Sequence, residues 1–458
     1  MCSSDARCWG NPERQSLLHP IAVQQAASGR FHGGAKAGNF HSMSICVPSF
    51  LRFVRLLAPL AAFIASAAET LPGPEIATAA INSFGLQLHR RLAATRPDAN
   101  LLTSPFSIES ALAMTYAGAD GVTLKEMGRV LAFGPDEKRL QESFRQLGYT
   151  LRKAAADSNA PVTLNIANRL FGSRGMVFEK GFLTQLVHVY RSPLETLDFS
   201  KNTAAAAHIN AWVAKETAGR IENLISPDLI SANTRLVLAN ALHFKAAWDV
   251  AFTQNRTRSE PFVLNRGSSV SVATLVDTRS IGMRAFDGFT AISLGYAQGR
   301  FQFVALVPQQ PDGLAALESR LTPELLAQCG ELPMQRVELH LPKLRIAGDS
   351  ISLGKPLREL GLHSAFDEPP GSADFSRMSR PPRGAQLFIS EVVHKTFLQL
   401  DEQGTEAAAA TAVIMAVRSA LPPSTPPPIV RVDRPFVFAI TERQTGAMLF
   451  LGRITDPR

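Results

Sequence analysis

Leu400-Asp-Glu-Gln-Gly-Thr-Glu-Ala-Ala-Ala-Ala-Thr-Ala-Val-Ile-Met-Ala-Val-Arg-Ser419 is the stretch on which the reading of this chain turns. It follows residues 387–400, which are apolar on both faces, the pattern of a central strand covered on both sides. Asp401 and Glu402 end that run, and Gly404 permits a backbone reversal. Four alanines in a row favour a surface helix. Such a helix would display Val413, Ile414, Met415 and Val417 beside residues 421–429, where five prolines cannot donate to a sheet ladder. A segment with two states explains the composition better. In a strand, Thr405, Ala407, Ala409, Thr411, Val413 and Met415 share one face, and Glu406, Ala408, Ala410, Ala412 and Ile414 share the other. The first face carries no charge and can meet a core, while Glu406 meets solvent. Small residues suit a strand that slides into a sheet already formed.

Working outward, helix and strand signals alternate from residue 72 without a long linker. Ile76, Ala80, Phe84 and Leu88 recur every four residues after Pro74 and predict an amphipathic helix. Residues 100–104 read as a short strand and Ser107 as the opening of a helix. Thr123-Leu-Lys-Glu126 has the form of a capping box. Residues 204–217 read as a helix carrying Trp212. Residues 236–244, 301–307 and 337–346 read as strands. Residues 435–454 hold two apolar arms around Arg443-Gln-Thr-Gly446, a hairpin pattern. There is no internal repeat. Residues 69–458 therefore read as one mixed α+β domain, larger than a single core usually grows and so expected to join several sheets.

The first 68 residues read as a leader. No acid occurs between Glu13 and Glu69. Within that gap Arg52 and Arg55 precede the apolar run Leu56-Leu-Ala-Pro-Leu-Ala-Ala-Phe-Ile-Ala65, and small residues follow. That is the form of a secretory signal peptide over 43–68, too short for a membrane span. Met43 is then the expected start, with residues 1–42 outside the translated protein. The expected location is outside the cytoplasm, periplasmic or extracellular. The formal charge of +8 halves once the leader is set aside, which gives no argument for nucleic-acid binding. Cys2, Cys8 and Cys46 lie in the leader, so Cys329 alone remains and no internal disulfide is expected.

Enzyme chemistry leaves no mark. The sequence has no GxSxG elbow, HExxH, Walker loop or GxGxxG, and no His/Cys spacing suited to zinc. No catalytic residue, metal or cofactor is expected.

The quoted stretch resembles the hinge and reactive-centre loop of the serpins. So, in family order, do Asn100-Leu-Leu-Thr-Ser-Pro-Phe-Ser107 with Ala111-Leu-Ala-Met114, Asn168-Arg-Leu-Phe171, and Asn210-Ala-Trp-Val213 through Ile221. Leu238-Ala-Asn-Ala-Leu-His-Phe-Lys245 with Trp248, Leu341-Pro-Lys-Leu-Arg-Ile346, Ala373-Asp-Phe-Ser376, His394-Lys-Thr-Phe397, Asp433-Arg-Pro-Phe436 and residues 449–453 complete a match over about 75–457. The resemblance implies the serpin fold: a large central sheet among several sheets, eight or nine helices around it, and an exposed loop at about 402–430. It implies a hinge of Glu402, Gly404, Thr405, Glu406, Ala407, Ala408, Ala409, Ala410 and Thr411. It pairs Glu402 with Lys343 and places Trp248 nearby at the top of the sheet. It places Ser104, Ser107, Asn240 and His394 in a polar cluster where strands part. By the family's usual spacing the scissile bond is Arg418–Ser419.

The activity implied is suicide inhibition of a trypsin-like serine protease, held as a covalent complex by an otherwise monomeric inhibitor. A loop one residue shorter would offer Val417 to an elastase-like enzyme. A non-inhibitory serpin, or a plain substrate, is the alternative; small hinge residues favour inhibition. Lys138, Arg139, Arg145, Arg152 and Lys153 read as a solvated helix face, with a polyanion site as the other reading. No membrane or nucleic-acid partner is expected.

Overall fold

A computed structural model describes residues 72–157, 162–380, 386–405 and 425–458. The chain opens with α1 (Glu75–Thr95), β1 (Leu101–Thr103), α2 (Pro105–Tyr116), α3 (Gly121–Val130) and α4 (Glu137–Ala156). Then come β2 (Val162–Ser173), α5 (Lys180–Gln185) running into a π-helical turn at Leu186–Tyr190, β3 (Glu195–Leu197), α6 (Asn202–Glu216) and β4 (Leu236–Ala247). Next are β5 (Arg258–Val263), β6 (Ser269–Phe286), β7 (Phe289–Tyr296), β8 (Phe301–Pro308), α7 (Leu314–Arg320) and α8 (Pro323–Gly330). The last part holds β9 (Met334–Pro342), β10 (Leu344–Ala347), β11 (Ile351–Ser352), α9 (Gly354–Glu359), β12 (Ile389–Leu400), β13 (Gly404–Thr405), β14 (Ile429–Arg431), β15 (Phe436–Glu442) and β16 (Met448–Ile454).

These strands make two mixed sheets. A nine-stranded sheet runs β1-β16-β15-β8-β7-β6-β9-β14, with β5 also on β6. A seven-stranded sheet runs β10-β12-β13-β4-β2-β3, with β11 on β12. The terminal hairpin predicted at 435–454 forms as β15 and β16, paired from Phe436↔Ile454 to Thr441↔Met448.

Helix α2 shows why the seven-stranded sheet sits where it does. All twelve of its residues are buried. A helix buried all round lies in a core rather than at a surface, and this one takes Ser107, Glu109, Ser110 and Thr115 inside with its apolar residues. Pro105 at its first turn and the Ser104 hydroxyl, which accepts from the Ser107 N–H at 3.2 Å, fix its start. Truncating a fully buried residue such as Leu112 to alanine costs about 2–5 kcal/mol at sites of this kind.

Two expectations meet a different outcome. Residues 337–346 are not one strand. β9 and β10 belong to different sheets, and the chain changes sheets at Lys343. The apolar positions slip by one there, from Val337, Leu339 and Leu341 to Leu344 and Ile346, and reading the ten residues as one strand passes over that shift. Nor is Thr123-Leu-Lys-Glu126 a capping box. Asp120 caps α3 by accepting from the Gly121 N–H. Thr123 Oγ1 instead accepts from the Asp374 N–H (2.9 Å), and Glu126 accepts from the Ser364 N–H and hydroxyl (2.8 Å each). Both side chains tie α3 to a remote segment, a tertiary demand that outranks the local cap.

Among the described residues no helix is long and apolar enough to cross a membrane, and no group of His, Cys, Asp and Glu is placed to hold a metal. Cys329 is buried, which pushes its thiol pKa up to about 12.

Candidate functional site

β12 and β4 lie side by side and parallel, from Ile389↔Leu236 to Phe397↔His243. Above that level they part. The space is filled by β13, which runs antiparallel to both: Thr405 pairs with Leu400 on one side and Ala246 on the other. The chain makes this turn at Gly404, where φ is +148° and a Cβ would run into the Ala246 carbonyl oxygen. Glycine is therefore required there.

Around this opening the predicted residues come together. Lys343 Nζ donates to both oxygens of Glu402 (2.9 and 3.1 Å), and Thr257 Oγ1 donates to the same carboxylate at 2.7 Å. Burial works against the Glu402 charge. The hydrogen bonds from Lys343 and Thr257 outweigh it and hold the carboxyl below its usual pKa. Trp248 is tied twice to the turn between β12 and β13. Its backbone N–H donates to the Gln403 carbonyl and its indole N–H to the Asp401 carbonyl, both at 2.9 Å.

Residues that the sequence did not single out finish this site. Tyr296 stacks on Trp248 with centroids 4.1 Å apart, and its hydroxyl shares a 2.7 Å hydrogen bond with Thr405 Oγ1. Burial raises the Tyr296 pKa, so the hydroxyl keeps its proton. Phe252 N–H donates to the Glu402 carbonyl at 2.7 Å. Arg279, its pKa lowered by burial to about 10, lies 3.5 Å over the Phe252 ring and donates to the Val250 and Ala251 carbonyls. It braces the loop that carries Phe252. These contacts join separate strands, and no local pattern announces them.

Lower between the same strands lies the second predicted cluster. Asn168, Asn240 and His394 sit in one row across β2, β4 and β12. The Ser104 N–H donates to His394 Nε2 at 3.0 Å, so Nε2 is unprotonated. Nδ1 then carries the proton and faces Asn240 Oδ1 at 2.5 Å. Full burial lowers the His394 pKa to about 3, and the ring is neutral. Ser107 Oγ donates to Asn168 Oδ1 at 2.7 Å, and Asn168 Nδ2 donates back to the Ser107 carbonyl. Asn168 is thus a member of the cluster, although the sequence offered it only within the Asn168–Phe171 stretch that carries the resemblance.

Glu406, Ala407, Ala408, Ala409, Ala410, Thr411, Val417, Arg418 and Ser419 lie outside the described residues.

Comparison with known proteins places the fold. A family model described as Serpin (serine protease inhibitor) matches residues 79–457. A leukocyte elastase inhibitor from Bos taurus is 34% identical over 391 residues, covering 83% of this chain and 99% of that protein. A serpin-like protein of Thermococcus kodakarensis is 35% identical and covers 83% of this chain and 85% of its own length. Among solved structures, a serpin of the insect Tenebrio molitor aligns with a TM-score of 0.71 at 31% identity, over 83% of this chain and 97% of that one.

Proposed function

This chain belongs to the serpin family, and from that premise we propose that it traps a trypsin-like serine protease by offering Arg418–Ser419 as bait. The observation that carries the reading is β13, two residues deep between β12 and β4 and antiparallel to each. A chain continuing downward from Thr405 finds ladder partners on both sides, provided β12 and β4 separate.

In this reading the protease serine attacks the Arg418 carbonyl and forms an acyl ester, releasing the amine of Ser419. An arginine there suits a specificity pocket with a carboxylate at its base. The cut segment then enters the sheet with the protease attached. Thr405 to Arg418 is about 14 residues, or roughly 45 Å as a strand. About ten new ladder bonds at ~1 kcal/mol net each amount to ~10 kcal/mol. That rivals the whole stability of a folded protein, about 5–15 kcal/mol, so insertion can deform the enzyme before water completes hydrolysis. Glu402, Lys343 and Trp248 act as the upper latch, and Ser104, Ser107, Asn240 and His394 as the lower one. The chain does no turnover of its own. We further propose export, with signal peptide 43–68 removed and 69–458 as the working domain.

The deciding experiment mixes trypsin with the protein from Glu69 onward and reads denaturing gels and fragment masses. The expected result is a covalent adduct with release of a fragment beginning at Ser419. Cleavage without an adduct would make the chain a substrate or a non-inhibitory member. The leukocyte elastase inhibitor relatives give the alternative bait its standing: an elastase adduct releasing a fragment that begins at Arg418 would move the bait to Val417. Secretion with a new amino terminus near Glu69 is the check on export.

A further inference from the structure

Away from the seam, where α1 ends, a cavity of 360 Å³ lies between that helix and α7. Its apolar walls are Ala93, Ala94 and Pro97 on one side and Leu314 and Ala315 on the other. With alanine on both helices, the side chains leave the gap unfilled, against the close packing of an ordinary helix contact. Four charged side chains also line it. Asp312 and Glu318 come from α7 and the loop before it, Arg90 from α1 and Arg453 from β16. Two of the four are already spent. Glu318 and Arg453 are buried, and Arg453 Nη1 donates to Glu318 Oε2 at 3.1 Å while His89 Nε2 donates to Glu318 Oε1 at 2.9 Å. The other nitrogens of Arg453 donate to the Ala93, Arg96 and Ala99 carbonyls. The remaining two, Asp312 and Arg90, are exposed and form the rim. Among the described residues Asp312 has no partner, and Arg90 has only the Leu321 carbonyl. The cavity therefore offers a free acid on the α7 side, a cation without a counter-charge on the α1 side, and an apolar interior whose own charges cancel.

We propose that this cavity binds a free α-amino acid with an apolar side chain, its ammonium on Asp312, its carboxylate on Arg90 and its side chain between the facing alanines. Each feature selects for part of that class. An acid and a base at one rim match a zwitterion, whereas a ligand of single charge satisfies only one of them. The guanidinium of Arg90 suits a carboxylate, which it can meet with two parallel hydrogen bonds. The interior gives a polar side chain no partner, because Glu318 and Arg453 are engaged with each other and with the end of α1. The volume stands at the small end of the usual 300–1,000 Å³ or so of small-molecule sites, which suits a ligand with one ring or one short branched chain. An occupant ties α1 to α7 and stabilises the native chain by mass action.

The test is titration calorimetry of the full chain with L-phenylalanine, with melting temperature as a second readout. Phenethylamine, which lacks the carboxylate, and 3-phenylpropionate, which lacks the ammonium, are the controls. Expected are saturable one-to-one binding of phenylalanine, a raised melting temperature, and both controls at least about tenfold weaker. Asp312→Asn should weaken phenylalanine about tenfold and leave 3-phenylpropionate unchanged, and Arg90→Gln should weaken phenylalanine by a similar factor and leave phenethylamine unchanged. Ala315→Leu, an exchange between two good helix formers at an exposed position, fills the space and should abolish binding while the melting temperature without ligand holds. If Ala315→Leu fails to fold, the two rim variants decide alone. Either control binding as tightly as phenylalanine, undiminished phenylalanine binding by any of the three variants, or no saturable binding at all overturns the proposal.

Discussion

The top and the middle of the seam between β12 and β4 are both closed by polar side chains, but by different physics. At the top a charged pair pins the turn that follows β12: Lys343, with its side chain 37% exposed, holds Glu402. The clamp is fastened to the hinge through Glu402, Trp248 and Tyr296. In the middle there is no charge. A neutral His394 and two asparagines link three strands and the start of α2, fully removed from water at His394. An exposed ion pair gains little and is weakened by salt. A buried neutral network is costly to leave half-made. The top is therefore the end that can be undone by solvent or by a tug on the loop. The middle is the end that sets the cost of full separation.

The harshest way to break this comparison is Thr405→Arg. Thr405 is already fully buried between the parted strands, so the substitution puts a charge in the core and displaces the two residues from which an inserting strand would continue. Loss of the protease adduct is expected, with cleavage retained. An undiminished adduct on gels would mean that β13 does not lead the inserting strand.

His394→Gln tests the middle. The variant leaves the Ser104 N–H or the Asn240 oxygen short of a partner, and about 2–4 kcal/mol of stability should go at pH 7 by urea unfolding. The pH dependence separates this from a generic packing loss. The native His394 pKa is near 3, while a histidine in the unfolded chain titrates near 6.5. Below about pH 6.5 the unfolded chain takes a proton that the native chain refuses. This site's contribution is thus complete above pH 6.5 and falls by roughly 1.4 kcal/mol per unit as pH drops toward 3. The variant should lose that slope. Parallel stability curves for wild type and variant between pH 7 and 5 would show that His394 is not the neutral pin described.

Glu402→Gln sharpens the comparison from the other end. It keeps an acceptor for Thr257 and removes the charge facing Lys343. Because Lys343 is partly exposed, a loss of about 1 kcal/mol or less is expected, shrinking in high salt. Glu402 has a depressed pKa, so its contribution is present above the unfolded carboxyl pKa and goes as pH falls through the native value. Mild acid near pH 5 should therefore weaken the middle while leaving the top latched. Equal salt sensitivity in wild type and variant would remove the ion pair from the account.

How far this seam could be seen in the sequence follows from the kind of signal each part leaves. The row at the middle sits on strands whose alternation was plain, and Asn240 and His394 interrupt apolar runs, so each stood out. The turn at Gly404 was legible from the glycine itself. Lys343 was assigned its partner by resemblance, since the one-residue slip in alternation beside it marks a break but names no partner. Tyr296 and Phe252 were invisible for a plain reason. A tyrosine ending an apolar strand and a phenylalanine in a loop are ordinary core residues until the fold sets them against Trp248 and Glu402. Glu126 and Thr123 misled because a local cap and a tertiary tie use the same atoms.

Tyr296→Phe is the finest test, because it removes one oxygen and keeps the ring. The stack on Trp248 survives, and so does the indole bond to Asp401. What goes is the hydrogen bond to Thr405 Oγ1, which leaves that buried hydroxyl unpaired at a cost of about 1 kcal/mol. If the top is a fastening of the hinge rather than of the strands alone, amide exchange should quicken at Gly404 and Thr405 and stay unchanged at Asn240 and His394. Adduct formation with the protease should persist, because the ladder bonds gained on insertion exceed this one contact about tenfold. Faster exchange in the middle as well would mean that the two latches open as one unit, and the distinction between an end that solvent can undo and an end that sets the cost would fail.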